Sequence, residues 1–209
     1  MGYIRRRKLT VISLRSIRVK LQEWDWNFVK GSAIFSLGQA LAGLLGFSFS
    51  VVVAKAFSPG EYGAIQYAIA IASVVSIGTQ PFGQHVIARF LGKYKDNTEQ
   101  LQQIFSNSWV ILVALAGITL LLAGSILIIV GMRNVVGILI IFLGITVFYI
   151  YWGLARGFLV PGKLTIAYLG GNLLQLFLVS FVIYILNIRS TLIVLVIYGF
   201  GFMFPPILL

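Results

Sequence analysis

"IFSNSWVILVALAGITLLLAGSILIIV", residues 104–130, contains no charged side chain in 27 residues. A helix of about 20 apolar residues crosses the hydrocarbon core of a bilayer, and hydrocarbon offers no partner to an unpaired backbone amide, so such a run must be helical. The turn "GMRN" closes it, and a second apolar run follows at once over 135–155. Working outward in both directions gives six spans, at about 31–57, 64–90, 104–130, 135–155, 164–187 and 190–209, separated by "FSPGEYG", "GKYKDNTEQ", "GMRN", "RGFLVPGK" and "NIRS". The expected fold is an all-α membrane protein, a six-helix transmembrane bundle.

The whole composition agrees. Of 209 residues 59% are hydrophobic and 10% charged, and the mean hydropathy is +0.99, values foreign to a water-soluble domain. Sixteen Lys and Arg stand against five Asp and Glu. Thirteen of the sixteen precede the first span or lie in the second and fourth connections; Lys55, Arg133 and Arg189 alone fall on the other side. This is the positive-inside pattern, which puts the N-terminus in the cytoplasm, makes membrane lipids the first partner, and explains the charge without nucleic acid. The expected location is the cytoplasmic membrane, multi-pass.

Residues 1–30 form a basic cytoplasmic segment. Arginines continue past the "RRRK" stretch where a secretory or twin-arginine signal would need its apolar region, which argues against a leader. Leu14, Ile17, Leu21, Trp24 and Phe28 recur at helical spacing with Arg15, Arg18 and Lys20 on other faces, so an amphipathic helix lying in the interface is expected.

Catalytic signals are scarce. The acids Glu23, Asp25, Glu61, Asp96 and Glu99 all lie outside the spans, cysteine is absent, there is one histidine, and no phosphate-cradling glycine loop occurs. Neither a carboxylate pair, a metal site nor a nucleotide site can be assembled from this set; no enzyme activity, cofactor or metal is expected. Polar residues inside spans carry the remaining information, because they cost free energy in lipid. Ser32, Ser36, Gln39, Gly43, Gly46 and Ser50 share one face of the first span. Close helix packing accounts for its serines and glycines, while Gln39 is a candidate for a hydrated cavity. In the second span Ser73, Ser76, Gln80 and Gln84 form a stripe with His85 and Arg89 further round, and Pro81 should kink the helix. Two roles are open for Arg89, anchoring in the headgroups or contact with substrate; His85 is open to a structural or a proton-linked one. Thr165, Tyr168, Asn172 and Gln175 make a third stripe on the fifth span. Arg89, Lys93, Arg156 and Lys163 together would form a basic mouth suited to phosphate or pyrophosphate.

The stretch from "LAGLLGFSFS" to "GKYKDN" resembles the opening two helices of polysaccharide exporters of the O-antigen flippase type, within the multidrug/oligosaccharidyl-lipid/polysaccharide exporter superfamily. The resemblance rests on the turn A-x-x-[LF]-x-P-x-E-Y-G, here Ala54, Phe57, Pro59, Glu61, Tyr62 and Gly63; on Gly83 and Arg89 at the end of the second helix; and on Arg156 and Gly157 closing the fourth. It implies the N-terminal lobe of a flippase that moves a lipid-linked oligosaccharide or polysaccharide precursor, through its pyrophosphate head, across the membrane by alternating access. Members usually carry 12 to 14 spans in two lobes, so six spans imply a fragment awaiting its C-terminal lobe, or a homodimer. The substrate-binding candidates are Arg89, His85, Gln80, Gln84, Gln39, Asn172, Gln175 and Arg156. The alternatives are a drug or cation exporter of the same superfamily, and a non-transporting membrane subunit or permease partner of a separate ATPase.

Overall fold

A computed structural model describes residues 26–94, 98–132, 134–158 and 161–204. The described residues are almost wholly helical, without strands. The chain is an all-α, membrane-type protein. Seven α-helices follow in order, α1 (Trp26–Ala56), α2 (Pro59–Ser76), α3 (Ile87–Tyr94), α4 (Thr98–Ile129), α5 (Val135–Gly157), α6 (Pro161–Ser180) and α7 (Thr191–Met203), with π-helical turns at Phe82–Val86 and Phe181–Ile185. The interfacial helix expected over residues 1–30 lies outside the described residues up to Asp25, and from Trp26 the chain is already part of α1.

Four helical stretches are long and apolar enough to cross a membrane: Val29–Ala56, Glu99–Ile129, Val135–Gly157 and Gly162–Ile185. Two of the six expected spans therefore differ from the sequence reading. The sixth is a helix of 13 residues to Met203, about 20 Å at 1.5 Å per residue. The second is interrupted. Pro81 has no amide hydrogen to offer the Ile77 carbonyl and its ring crowds that carbonyl, so the chain tightens just before it: Ile77, Gly78 and Thr79 donate three residues back, to Val74, Val75 and Ser76. The turn after Pro81 is wider than an α-turn. Gly83, Ile87 and Leu91 are all buried at four-residue spacing, longer than the 3.6 of an α-helix, and the π turn accommodates the additional residue so that all three keep facing α5.

α5 is the centre of the bundle. Its contacts with the broken second segment form a ladder along its length, Thr146 with Thr79, Tyr149 and Ile150 with Gly83, Gly153 with Gly83 and Ile87, and Gly157 with Leu91. The broken segment thus still runs beside a membrane-length helix to its end. On another face Gly137 meets Leu195 and Gly144 meets the backbone of Gly199, which seats α7 parallel to α5. Glycine is required at these points because a Cβ on Gly144 or Gly153 would collide with a neighbouring backbone carbonyl; in lipid such close approach, and not water exclusion, holds helices together. α1 packs on α6, with Thr165 against Gly38, and Phe35 reaches the Trp152 ring edge-on at 5.3 Å.

The small polar face expected to mediate α1 packing does not do so among the described residues. The buried face is Gly38, Ala42, Phe49 and Val53, whereas a Cβ at Gly43 or Gly46 would meet nothing within 4 Å, and Ser32 and Ser36 are exposed. Two adjacent rows of small residues run along α1, and the row containing Gly38 and Ala42, in line with Phe49 and Val53, is the one that enters the core.

Candidate functional site

Each connection in the bundle reverses the chain, and the charges sort accordingly. Lys30 on the first turns of α1, Arg89 and Lys93 on α3, Arg156 at the end of α5 and Lys163 at the start of α6 share one end of the molecule. Lys55 and Arg189 lie at the other end with Glu61. Glu61 is tied into a capping box: the Ser58 amide donates to its carboxylate at 3.0 Å and the Ser58 hydroxyl at 2.8 Å, with Pro59 in the first helical turn. The hydroxyl and amide of Ser58 hold that carboxyl below the usual glutamate range, and the Arg189 charge adds to the effect.

At the basic end, helix geometry defines a cleft. Arg156 is four residues beyond Trp152 and three beyond Gly153, and Tyr149 precedes them by three and four, so both lie between those two positions on the α5 surface. Trp152 carries the contact with α1 and Gly153 the contact with the π turn. Tyr149 and Arg156 therefore form a floor between α1 and α3. The opposite side of the α3–α5 contact is closed by α4, whose Leu112 packs with Ile87, Leu91 and Ile150. His85 and Arg89 lie one turn apart, each two residues from positions that face α5, so both are on the exposed outer side of this segment. α1 and α2 touch only sparsely, through residues near their connection such as Ala56, Phe57 and Ile65, so the exposed Gly43 and the half-buried Gln39 border the cleft from the α1 side.

Of the expected site residues the structure joins Gln80 to Gln84, places His85, Arg89 and Arg156 exposed at the basic end, and leaves Gln39 half-buried on α1. The Gln80 amide donates to Gln84 at 3.3 Å, and both side chains are partly buried. His85, Arg89 and Arg156 have no hydrogen-bonding or ionic partner among the described residues. Three cationic or protonatable groups thus lie at one end of the bundle, and Glu99, on the first turn of α4, is the acid described at this end.

The α6 stripe is placed elsewhere. Gln175 is 3% exposed and its amide donates to the Tyr198 carbonyl at 2.7 Å, in a space that Gly201 leaves open by lacking a side chain. Asn172 donates to the Tyr168 carbonyl of its own helix at 2.8 Å. Thr165 is buried against Gly38. These side chains join α6 to its own backbone, to α7 and to α1, and stand outside the cleft.

Sequence reasoning missed Thr79 and Thr146, whose hydroxyls meet at 3.0 Å in the core, 1% and 4% exposed. Thr79 also donates to the Ser76 carbonyl at 3.2 Å, one of the groups released by the helix break. The signal available was a threonine two residues before a proline inside a span, where Ser and Thr commonly satisfy freed carbonyls. Among the described residues no group of His, Cys, Asp and Glu is arranged to hold a metal ion. No family model matches the chain, and no curated protein or solved structure matches it.

Proposed function

We propose that this chain is one lobe of a membrane flippase whose substrate is a lipid-linked oligosaccharide or polysaccharide precursor, held at its pyrophosphate by the cleft between α1 and α3. The observation that carries the proposal is that His85, Arg89 and Arg156 are exposed at the same end of a membrane-length bundle and have no hydrogen-bonding or ionic partner among the described residues. Unpaired arginines at such a site suit the two negative charges of a pyrophosphate diester, since guanidinium groups bind phosphate oxygens in pairs. The open small-residue face of α1 supplies room for sugars, and Gln39, Gln80 and Gln84 supply donors and acceptors for their hydroxyls. The acid described on the four membrane-length helices is Glu99, exposed on the first turn of α4, which argues against a cation exporter needing a buried carboxylate.

On this reading the basic end is cytoplasmic by the positive-inside rule, and the cleft loads substrate from that side. Its open face is completed by a second lobe or a second copy, and the two rock about α5 to expose the site in turn. The test is a proteoliposome assay with a fluorescent lipid-linked pyrophosphate sugar. Arg89→Gln combined with Arg156→Gln should lower the flipping rate at least tenfold while Lys55→Gln, at the opposite end of the bundle, leaves it near normal. A double variant that flips at the original rate removes the cleft from the proposal.

A further inference from the structure

We propose that the break just before Pro81 is a binding site for one sodium ion at the middle depth of the bundle, held by threonine hydroxyls and freed carbonyls. The inference rests on residues other than those of the anion-binding reading above and stands apart from it.

Three segments each bring a threonine to the break. The Thr79 hydroxyl meets that of Thr146, the middle residue of α5 (Val135–Gly157), at 3.0 Å. Beside it Gly78 faces Thr119 of α4, whose hydroxyl oxygen lies 3.7 Å from where a Cβ on Gly78 would stand. α4 and α5 run antiparallel, with Gly124 against Leu139 and Leu112 against Ile150, so Thr119 falls level with the turn of α5 that leads to Thr146.

The space that Gly78 leaves open is bordered by oxygen. Within 4 Å of the missing Cβ lie Thr119 Oγ1 and, at 3.8 Å, the Val75 carbonyl. The Ile77 carbonyl is one turn before Pro81, which has no amide hydrogen to give it. Ile77 and Gly78 are both exposed. Irregular backbone at membrane depth is not stable against hydrocarbon, so this stretch fronts water or a bound ion.

Hydrogen-bond accounting favours the ion. Thr79 gives its one hydroxyl hydrogen to the Ser76 carbonyl at 3.2 Å, so Thr146 is the donor at the 3.0 Å contact. Both hydrogens are then committed, while oxygen lone pairs are left over on Thr146 and on the Ile77 carbonyl. The C-terminal end of α2 points into the same place and adds the negative end of its dipole. Carbonyl and hydroxyl oxygens are hard ligands suited to hard cations. With no carboxylate among them, one positive charge is what the site can compensate. Discontinuous helices at the membrane midplane bind sodium through unwound carbonyls in transporters of several folds.

The experiment measures binding of radioactive sodium to the full chain in phosphatidylcholine nanodiscs, with unlabelled sodium or choline as competitor. Saturable binding is expected, displaced by sodium and not by choline. Gly78→Ala places a methyl group in the space at ordinary contact distances, so the chain should fold and bind sodium at least about tenfold more weakly. Thr119→Val, which removes one oxygen, should weaken binding about tenfold, whereas Thr119→Ser retains it. Gly43→Ala, with open space around its added Cβ, should bind as the unaltered chain does. In equilibrium unfolding, sodium should stabilise the unaltered chain against choline at equal ionic strength and leave Gly78→Ala unaffected. No saturable binding by the folded unaltered chain overturns the proposal and leaves the break to water alone. Binding that choline displaces, or that Gly78→Ala and Thr119→Val both leave unchanged, overturns it equally.

Discussion

Adding a single methyl group at Gly153 should loosen the centre of the bundle. A Cβ there would fall on the Gly83 carbonyl of the π turn, with Ile87 close behind. Both obstacles belong to one packed segment and the nearer is backbone, so relief requires α5 and that segment to separate. The neighbouring contacts of Gly157 with Leu91 and of Thr146 with Thr79 would be strained in the same movement. Overpacking of this kind costs about 1–3 kcal/mol. Alanine in place of glycine returns about 0.5–1 kcal/mol through backbone entropy, leaving a net loss of about 0.5–2 kcal/mol for Gly153→Ala. Gly43→Ala is the matched control, because nothing lies within 4 Å of its added Cβ, and it should be neutral or stabilising. Equilibrium unfolding in mixed micelles of mild detergent and dodecyl sulfate, followed by tryptophan fluorescence, measures both. Equal stability of Gly153→Ala and Gly43→Ala would refute the close approach of α5 and the π turn.

Thr146→Val removes one half of the hydroxyl pair while keeping the side-chain shape, and should cost about 0.5–2 kcal/mol in the same unfolding assay; Thr146→Ser, which keeps the hydroxyl, should cost less. The Ser58–Glu61 capping box makes the stability of the α2 start dependent on pH. Because the Glu61 carboxyl is held below its usual range in the folded chain, its contribution is complete above the ordinary glutamate value and fades as pH falls through the lowered one. Protection of the amides at the start of α2, taken relative to their intrinsic exchange rate at each pH, should therefore fall in acid, and in Glu61→Gln it should be low already and insensitive over the same range.

How much of this was legible in the sequence depended on whether one helix or two decided the matter. Continuous apolar runs specify a spanning helix by themselves, since hydrocarbon leaves the backbone no alternative, and α1, α4, α5 and α6 fall where those runs predict. Pro81 announced a disturbance, but its extent did not follow from the proline. A kink became a break of three residues and a π turn because Gly83, Ile87 and Leu91 all had to reach α5, a requirement that belongs to α5 as much as to the segment itself. The same holds for the faces. Spacing grouped Ser32, Ser36, Gln39, Gly43, Gly46 and Ser50 correctly on one side of α1, yet helical periodicity cannot say which of two small rows meets a neighbour; Thr165 and Trp152 chose the row containing Gly38. Gln175 shows the reverse. As an amide in a span it has the same sequence signature as Gln80, and only the gap left by Gly201 turns it inward to Tyr198. A polar residue in lipid must find a partner, and sequence registers that need without revealing whether the partner is a helix backbone or a ligand. Among the described residues the groups still lacking one include the buried Tyr151 hydroxyl and Trp152 indole as well as the exposed His85, Arg89 and Arg156, and function is sought among such groups.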